Sequence, residues 1–254
     1  MTRPDRRRLR HGVRRLAVRT LFAAVLLSMA ACGDDPARHD GDHVISGDLA
    51  GDREQATFLM TAGADVIRVR AHDLDGELYR ISTPEDSKVL PTAVLDDEVL
   101  TTSLTDGPGS GLAIVTAELN AAVRWTIRLH GGAKEQLLDL SAGKVARVDF
   151  VAGTSRAELF LPPPSGAVAI GLAGGAGEFR IHLPKHVPAR VRIGGGAGTA
   201  DIDGERHTGI AGGTVLTTDS WTDAGDRYDI DLTAGVSHLS LDRQPNDSPS
   251  VASR

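Results

Sequence analysis

Pairs of acidic residues are the side chains of this chain best suited to acid–base chemistry. Asp201 and Asp203 alternate along one predicted strand, and Asp229 and Asp231 alternate along another. Glycosidases use two carboxyl groups in this way, one as an acid and the other as a base or nucleophile. An ordinary solvated strand face produces the same spacing, because every second residue points to water. A polysaccharide-acting enzyme is therefore an alternative, but the sequence favours a non-enzymatic protein, since it lacks Gly-x-Ser-x-Gly and His-Glu-x-x-His.

Three further segments contain residue types that bind metals. His182 and His186 lie on either side of a Pro-Lys turn and have no evident third ligand. Residues 195–203 are similar to the glycine- and aspartate-rich calcium repeat of β-rolls, but the aspartate comes one residue late and no neighbouring unit repeats it. The Asp and His residues of 33–43 lack anything that fixes ligand geometry. Surface histidines, turn glycines and a solvated linker explain these segments, and the sequence predicts no metal or cofactor.

Cys32 is the only cysteine and the residue with the most specific chemistry. A basic segment is followed by the apolar run 21–27 and by the small residues Ala30 and Ala31. This is the layout of an export signal, and 21–31 is too short for a helix that spans about 30 Å of hydrocarbon. The alternative is an ordinary signal peptide with an incidental cysteine.

The segment around Cys32 resembles the lipobox of bacterial lipoproteins. The resemblance implies that residues 1–31 are a lipoprotein signal peptide and that the Cys32 thiol carries diacylglycerol. Several acyl chains, such as palmitate, give stable membrane anchoring where one chain is marginal. We therefore expect a protein anchored by Cys32 to the extracytoplasmic face of the cell membrane, and Arg14-Arg15 leaves the Sec and twin-arginine export routes both open.

Charge excludes one class of partner. The whole chain has a formal charge of −6, and removal of residues 1–31 with their eight arginines brings it to −13. Nucleic-acid binding needs a basic footprint, so nucleic acid is not an expected partner. The sequence predicts a flexible, lipid-anchored tether over 32–55 and a disordered tail over 244–254.

Alternation of apolar and polar residues predicts an all-β protein over the rest of the chain. Short apolar strands end repeatedly at small-Gly pairs, marked at 132, 153, 177, 198 and 235, with an insertion around 205–226. Such spacing is typical of stacked units that bury their apolar faces against each other. The pattern predicts a β-helix-like stack of short two-stranded repeats with glycine corners, in an N-terminal half over 56–119 and a C-terminal half over 120–243.

Three outward arginines, Arg180, Arg190 and Arg192, are the candidate binding residues of the repeats. We expect them either to cluster into a patch for an anion or partner, or to pair across strands with neighbouring Asp and Glu. Cross-strand pairing is the interpretation that the sequence favours.

Residues 174–193, with the later run 228–237, are similar to the C-terminal domain of LiaF-type proteins, within the broader toastrack or adhesin-head-like group. The similarity covers roughly 120–242, and 56–120 more weakly. It implies a β-helix-like stack and a role at the bacterial envelope, where LiaF-type proteins modulate kinases that sense cell-wall damage. The chain differs from LiaF in its predicted lipid anchor.

We therefore interpret the chain as a non-enzymatic surface lipoprotein that acts as an interaction or sensing module of the envelope. The most specific version of this hypothesis is a role in envelope stress signalling. Its expected partners are the membrane, through Cys32, and an envelope protein or cell-wall glycan. A structural or adhesive wall protein is a further alternative.

Overall fold

The computed structural model describes residues 42–218, 221 and 224–244. The predicted signal peptide, Cys32 and the tail beyond residue 244 lie outside these residues. Within the described ranges, no helix has the length and apolar character needed to cross a membrane. The all-β prediction is confirmed, since the described elements are strands.

The described residues form nineteen strands. In chain order they are β1 Val44–Asp48, β2 Gln55–Met60, β3 Ala64–His72, β4 Glu77–Ser82, β5 Val89–Asp96, β6 Val99–Asp106, β7 Ile114–Asn120, β8 Arg124–Leu129, β9 Ala133–Asp139, β10 Lys144–Phe150, β11 Thr154–Phe160, β12 Ala167–Leu172, β13 Ala176–Leu183, β14 Ala189–Ile193, β15 Ala197–Ile202, β16 Glu205–Ile210, β17 Thr214–Thr217, β18 Arg227–Leu232 and β19 Val236–Arg243. β1 lies inside the range 32–55 that was predicted to be a flexible tether, so residues 44–48 are part of the fold.

The strands form two sheets that face each other. Sheet A has the order β1-β4-β7-β3-β9-β11-β13-β19-β15-β16, and sheet B has the order β17-β14-β18-β12-β10-β8-β2-β6-β5. Each repeat unit, called a rung here, is one sheet-B strand followed by the next sheet-A strand. Neighbouring rungs pair in parallel, as β10 does with β12 and β11 with β13. The predicted stack of two-stranded repeats is confirmed.

The rungs do not follow one another in chain order. Along the stack they run β6–β7, β2–β3, β8–β9, β10–β11, β12–β13, β18–β19, β14–β15. β6–β7 pairs with one side of β2–β3 and β8–β9 with the other, so the chain changes direction there. Later the chain leaves the place beside β12–β13 empty when it forms β14–β15. The last rung, β18–β19, lies between β12–β13 and β14–β15, with parallel pairing on both sides.

Antiparallel strands close both ends of the stack. β4 pairs with β7 and β5 with β6 at one end, while β16 pairs with β15 and β17 with β14 at the other. β16 and β17 come from the insertion predicted around 205–226, and their side chains are mostly exposed or half-buried. Polar terminal units of this kind keep the last apolar layer of a stacked protein away from water.

The space between the sheets is one continuous apolar core that extends from Ile45 to Leu241. Alternate residues of each strand point inward, as in β18, where Tyr228, Ile230 and Leu232 are fully buried. Phe150 of sheet B meets Phe179 of sheet A edge to face, with ring centroids 5.3 Å apart. Burial of these aliphatic and aromatic side chains provides the main driving force for folding.

Glycine corners connect the two strands of a rung. Gly131, Gly174 and Gly195 each lie against an alanine of the rung below, at Ala62, Ala152 and Ala234. Glycine and alanine therefore alternate along this corner column, because a Cβ on the glycine would lie 1.8–2.3 Å from the alanine backbone. Gly132, Gly153, Gly175 and Gly235 stack in a second column beside it. The predicted marks at 132, 153 and 235 are therefore corners, whereas 177 and 198 fall just beyond their corners, inside β13 and β15.

Tyr228 links the core to the proline segment between β11 and β12. Its side chain is fully buried, and its hydroxyl donates a hydrogen bond of 2.7 Å to the carbonyl of Pro162. Burial raises the pKa of this phenol, so the neutral form is the one that donates.

We expect Tyr228→Phe to lower the free energy of unfolding by about 1–3 kcal/mol, because the Pro162 carbonyl would lose its partner in a buried place. Urea denaturation of the purified protein would measure this. An unchanged midpoint would mean that water replaces the hydroxyl.

Asp65, at the start of β3, joins three segments of the chain. Its carboxylate accepts hydrogen bonds from Lys134 Nζ at 2.8 Å, Lys88 Nζ at 2.9 Å and the amide of Ala113 at 3.0 Å. These donors, first Lys134 and then Lys88, hold the pKa of Asp65 well below its usual range. A depressed pKa in the folded state contributes stability above the unfolded pKa of about 3.9 and loses it as the pH falls further.

We therefore expect Asp65→Asn to lower the urea midpoint at pH 7 and the difference from wild type to shrink below about pH 4. Urea titrations at pH 7, 4 and 3 would test this. A difference that stays constant over this range would show that the ionised carboxylate does not stabilise the fold.

Candidate functional site

The three predicted arginines lie on both sheets. Arg180 is on β13 in sheet A, whereas Arg190 and Arg192 are on β14 in sheet B. All three point to the outer faces, but these faces look in opposite directions. Arg190 and Arg192 are therefore neighbours, and Arg180 is not part of their cluster.

Each of these arginines pairs with a carboxylate. Arg190 binds both oxygens of Asp229 on the neighbouring strand β18, and Arg192 Nη1 lies 3.3 Å from Asp231. Arg180 binds Glu178 two residues earlier on its own strand. The hydrogen bonds that Arg190 donates to Asp229 and Arg180 donates to Glu178 raise the pKa of both guanidinium groups. Arg190 and Arg192 thus pair with carboxylates on a neighbouring strand, which is the interpretation that the sequence favours. Arg180 pairs within its own strand.

The acidic pairs are likewise occupied by guanidinium groups. Asp201 accepts two hydrogen bonds from Arg206, at 2.7 and 3.0 Å, and this contact lowers the pKa of Asp201. Asp203 accepts two hydrogen bonds of 2.7 Å from Arg243. A glycosidase needs one carboxyl group with a raised pKa as the general acid. The contacts of Asp201 have the opposite effect on its pKa.

His182 and His186 lie in different surroundings. His182 lies between Glu158, at 2.8 Å, and Asp242, at 2.5 Å, and stacks on Phe160 with centroids 4.2 Å apart. His186 is in the turn before β14, in the left-handed backbone region with φ of 63°. Among the described residues, no group of three or more His, Cys, Asp or Glu is arranged to hold a metal ion.

The outer faces of the two sheets carry different charge. Five neighbouring sheet-B strands, β8, β10, β12, β18 and β14, hold seven Lys and Arg side chains against three Asp, and we call this surface the basic face. The matching sheet-A strands hold four Lys and Arg against six Asp and Glu. The charged residues of the basic face are Arg124, Arg128, Lys144, Arg147, Asp149, Arg190, Arg192, Arg227, Asp229 and Asp231. A chain of formal charge −6 thus concentrates positive charge on one surface.

A groove follows β12 across the basic face. Its floor is made of small residues, Ala167, Ala169 and Gly171, because these are the outward positions of β12. The neighbouring strands β10 and β18 carry long side chains and form the walls. Two strand spacings set the walls about 10 Å apart. Near Gly171 the groove deepens into a cavity of about 250 Å³.

Asp149 occupies the floor of that cavity beside Gly171. A Cβ at residue 171 would lie 2.7 Å from Asp149 Oδ1, so glycine makes room for the carboxylate. Arg147 Nε donates to Asp149 Oδ2 at 2.7 Å, and Arg128 Nε lies 3.9 Å from the same oxygen. The hydrogen bond to Asp149 also raises the pKa of Arg147. The single carboxylate of Asp149 therefore lies against two guanidinium groups, and positive charge is in excess around it.

Sequence reasoning identified Arg190, Arg192, Asp229 and Asp231, but missed the five cations of β8, β10 and β18 as one surface. Their positions depend on the placement of β18 beside β12, which no local pattern indicates. The available signal was the alternation of Lys144, Arg147 and Asp149 with buried residues, together with the small residues at alternate positions of β12.

Comparison with known proteins supports the fold. No protein-family model and no curated protein match the chain. The structure of a candidate cell adhesion protein from Clostridium sporogenes superposes with a TM-score of 0.59 at 17% identity, over 83% of this chain and 100% of the other. A candidate adhesin from Bacteroides fragilis aligns over 79% of this chain and 96% of its own, at 8% identity with a TM-score of 0.21. The likeness to the first structure shows that the two chains share a fold.

Proposed function

We propose that this protein is a non-enzymatic interaction module of the bacterial envelope, with an adhesive role, held by Cys32 at the extracytoplasmic face of the cell membrane. The observation that carries the proposal is the basic face of sheet B. It extends over five neighbouring strands, which suits a surface that binds a long or large partner. The adhesion-protein description of the C. sporogenes structure is consistent with such a role.

The arrangement of carboxylates supports binding over catalysis. Asp201, Asp203, Asp229 and Asp231 each contact an arginine, and the hydrogen bonds from Arg206 lower the pKa of Asp201. General acid catalysis needs a proton on one of them near neutral pH. The same Arg–Asp pairs present both donors and acceptors to a hydroxyl-rich or charged partner.

Envelope stress signalling is the more specific form of this proposal, and it rests on the resemblance of residues 174–193 to LiaF-type proteins. In that form the partner is a membrane sensor protein. In the adhesive form the partner is a wall component. Both forms need the anchor, because it places the basic face close to the membrane and wall.

Photo-crosslinking of the tagged full-length protein in living cells tests the proposal, with Cys32→Ser as the unanchored control. We expect membrane fractionation and partner capture to depend on Cys32. Capture of a membrane kinase would support the signalling form, and capture of glycan would support the adhesive form. Equal membrane association and equal capture by the Cys32→Ser protein would contradict the proposal.

A further inference from the structure

The groove along β12 has different polar groups at its two ends. At the Ala167 end, β18 carries Arg227, which pairs with Ala167, and β10 begins with Lys144. Near Gly171 the corresponding positions are Asp149 and Asp231. One end thus attracts anions, and the other offers acceptors to hydroxyl groups, which are donors.

In the part of the chain that the structure describes, the cations at the Ala167 end donate hydrogen bonds to carbonyls and have no carboxylate partner. Lys144 Nζ donates to the carbonyl of Ala122 at 2.8 Å, and Arg124 Nη2 donates to the carbonyl of Ser165 at 2.9 Å. Arg227 donates to the carbonyl of Ala224 at 2.6 Å and lies over the Trp221 ring, 5.2 Å from its centroid. Within the described ranges, no carboxylate is within 4.0 Å of any of these three cations. Carbonyls and an aromatic ring orient them but leave a full positive charge for a ligand.

The shape of the groove suits a single extended chain. From Ala167 to Ala173 it runs about 20 Å at the rise of a β-strand, with walls about 10 Å apart. A bilayer surface would meet the tips of the wall side chains and leave the small-residue floor uncovered. A slender chain can enter and contact the floor, the cations and the carboxylates together.

We propose that the β12 groove binds an acidic polysaccharide. Its carboxylate or phosphate groups face Lys144 and Arg227, and its hydroxyl groups donate to Asp149 and Asp231. An acidic peptide such as polyglutamate carries the acidic groups but has no hydroxyl groups to donate to these two aspartates. This inference rests on the proposed interaction function and specifies its ligand class.

Binding of the detergent-solubilised full-length protein to fluorescent polygalacturonate tests the inference. The comparison probes are dextran, polyglutamate and phosphatidylglycerol vesicles. The variants are Lys144→Glu with Arg227→Glu, and Ala169→Phe, which fills the floor without changing charge. The matched control is Arg68→Glu with Arg70→Glu, which makes the same charge change on the outer face of sheet A. Thermal unfolding of every variant checks that it is folded.

We expect polygalacturonate to bind wild type and the sheet-A control equally, and to bind both groove variants about tenfold or more weakly. The measurements are made at low salt, because salt screens contacts between charges. Equal loss in the sheet-A control would show a general charge effect and overturn the inference. So would dextran, polyglutamate or vesicle binding as strong as polygalacturonate binding, or no polygalacturonate binding at all. Cys32-dependent capture of an envelope protein alongside such a result would leave the proposed function intact and remove only the glycan ligand.

Discussion

Substitution of Gly131 by alanine is expected to lower the free energy of unfolding by about 4 kcal/mol or more, which is the range of severe backbone clashes. The added Cβ would lie 1.8 Å from the carbonyl oxygen of Ala62 on the neighbouring rung. No side chain can move aside there, because the clash is with backbone. Relief requires the corners of two rungs to separate, and the strand ladders on both sides of the corner oppose that movement.

Gly153→Ala is the matched control. It stands at a corner of the same kind, but its Cβ would meet the Gly175 carbonyl at 3.4 Å, an ordinary contact. We expect a change of about 1 kcal/mol or less there. Urea denaturation of both variants would compare them. Similar losses would contradict the view that the alternation of glycine and alanine sets the spacing of the rungs.

Truncation of Phe179 to alanine is expected to cost about 3–5 kcal/mol, the usual range for a buried phenylalanine. The side chain is fully buried at the centre of the stack and meets Phe150 of the other sheet edge to face. Its loss removes an aromatic contact between sheet A and sheet B in the middle rungs and leaves a cavity between them. Stacked repeats transmit such damage to neighbouring rungs, because each buries its apolar face against the next.

Phe160→Ala provides the comparison for this prediction. Phe160 is half-buried on the outer face of sheet A, where it stacks on His182. We expect a smaller loss of stability there, since less apolar surface returns to water. Calorimetry would rank the two variants. A larger loss at Phe160 than at Phe179 would mean that the outer ladder, and not the core, holds the sheets together.

The sequence predicts much of this fold because its signals are local. Alternation in segments such as Tyr228–Leu232 indicates which side chains are buried, and glycines at 132 and 153 mark the corners. The order of the rungs is not local. Nothing in the sequence places β18–β19 between β12–β13 and β14–β15, since parallel strands with the same alternation fit equally well beside any rung. β1 was missed for a similar reason, because a five-residue edge strand carries little pattern.

The candidate site was predicted in part for the same physical reason. Arg190 and Arg192 share one strand, so their common face follows from the period of two. Arg180 is on the strand before the turn at 184–188, and each such connection moves the chain to the opposite sheet. The sequence shows that these residues point outward, but the sheet to which each belongs follows only from the assembled stack. The cations of β8, β10 and β18 join the basic face only after that assembly.

Site-specific photo-crosslinking in living cells tests the central claim that the basic face of sheet B is the binding surface. A crosslinking residue would replace Ala169 on the groove floor, and a matched one would replace Ser240 on the outer face of sheet A. We expect capture of an envelope component from residue 169 and little from residue 240, with loss of capture when Cys32 is replaced by serine. Equal capture from both faces, or capture from residue 240 alone, would contradict the account.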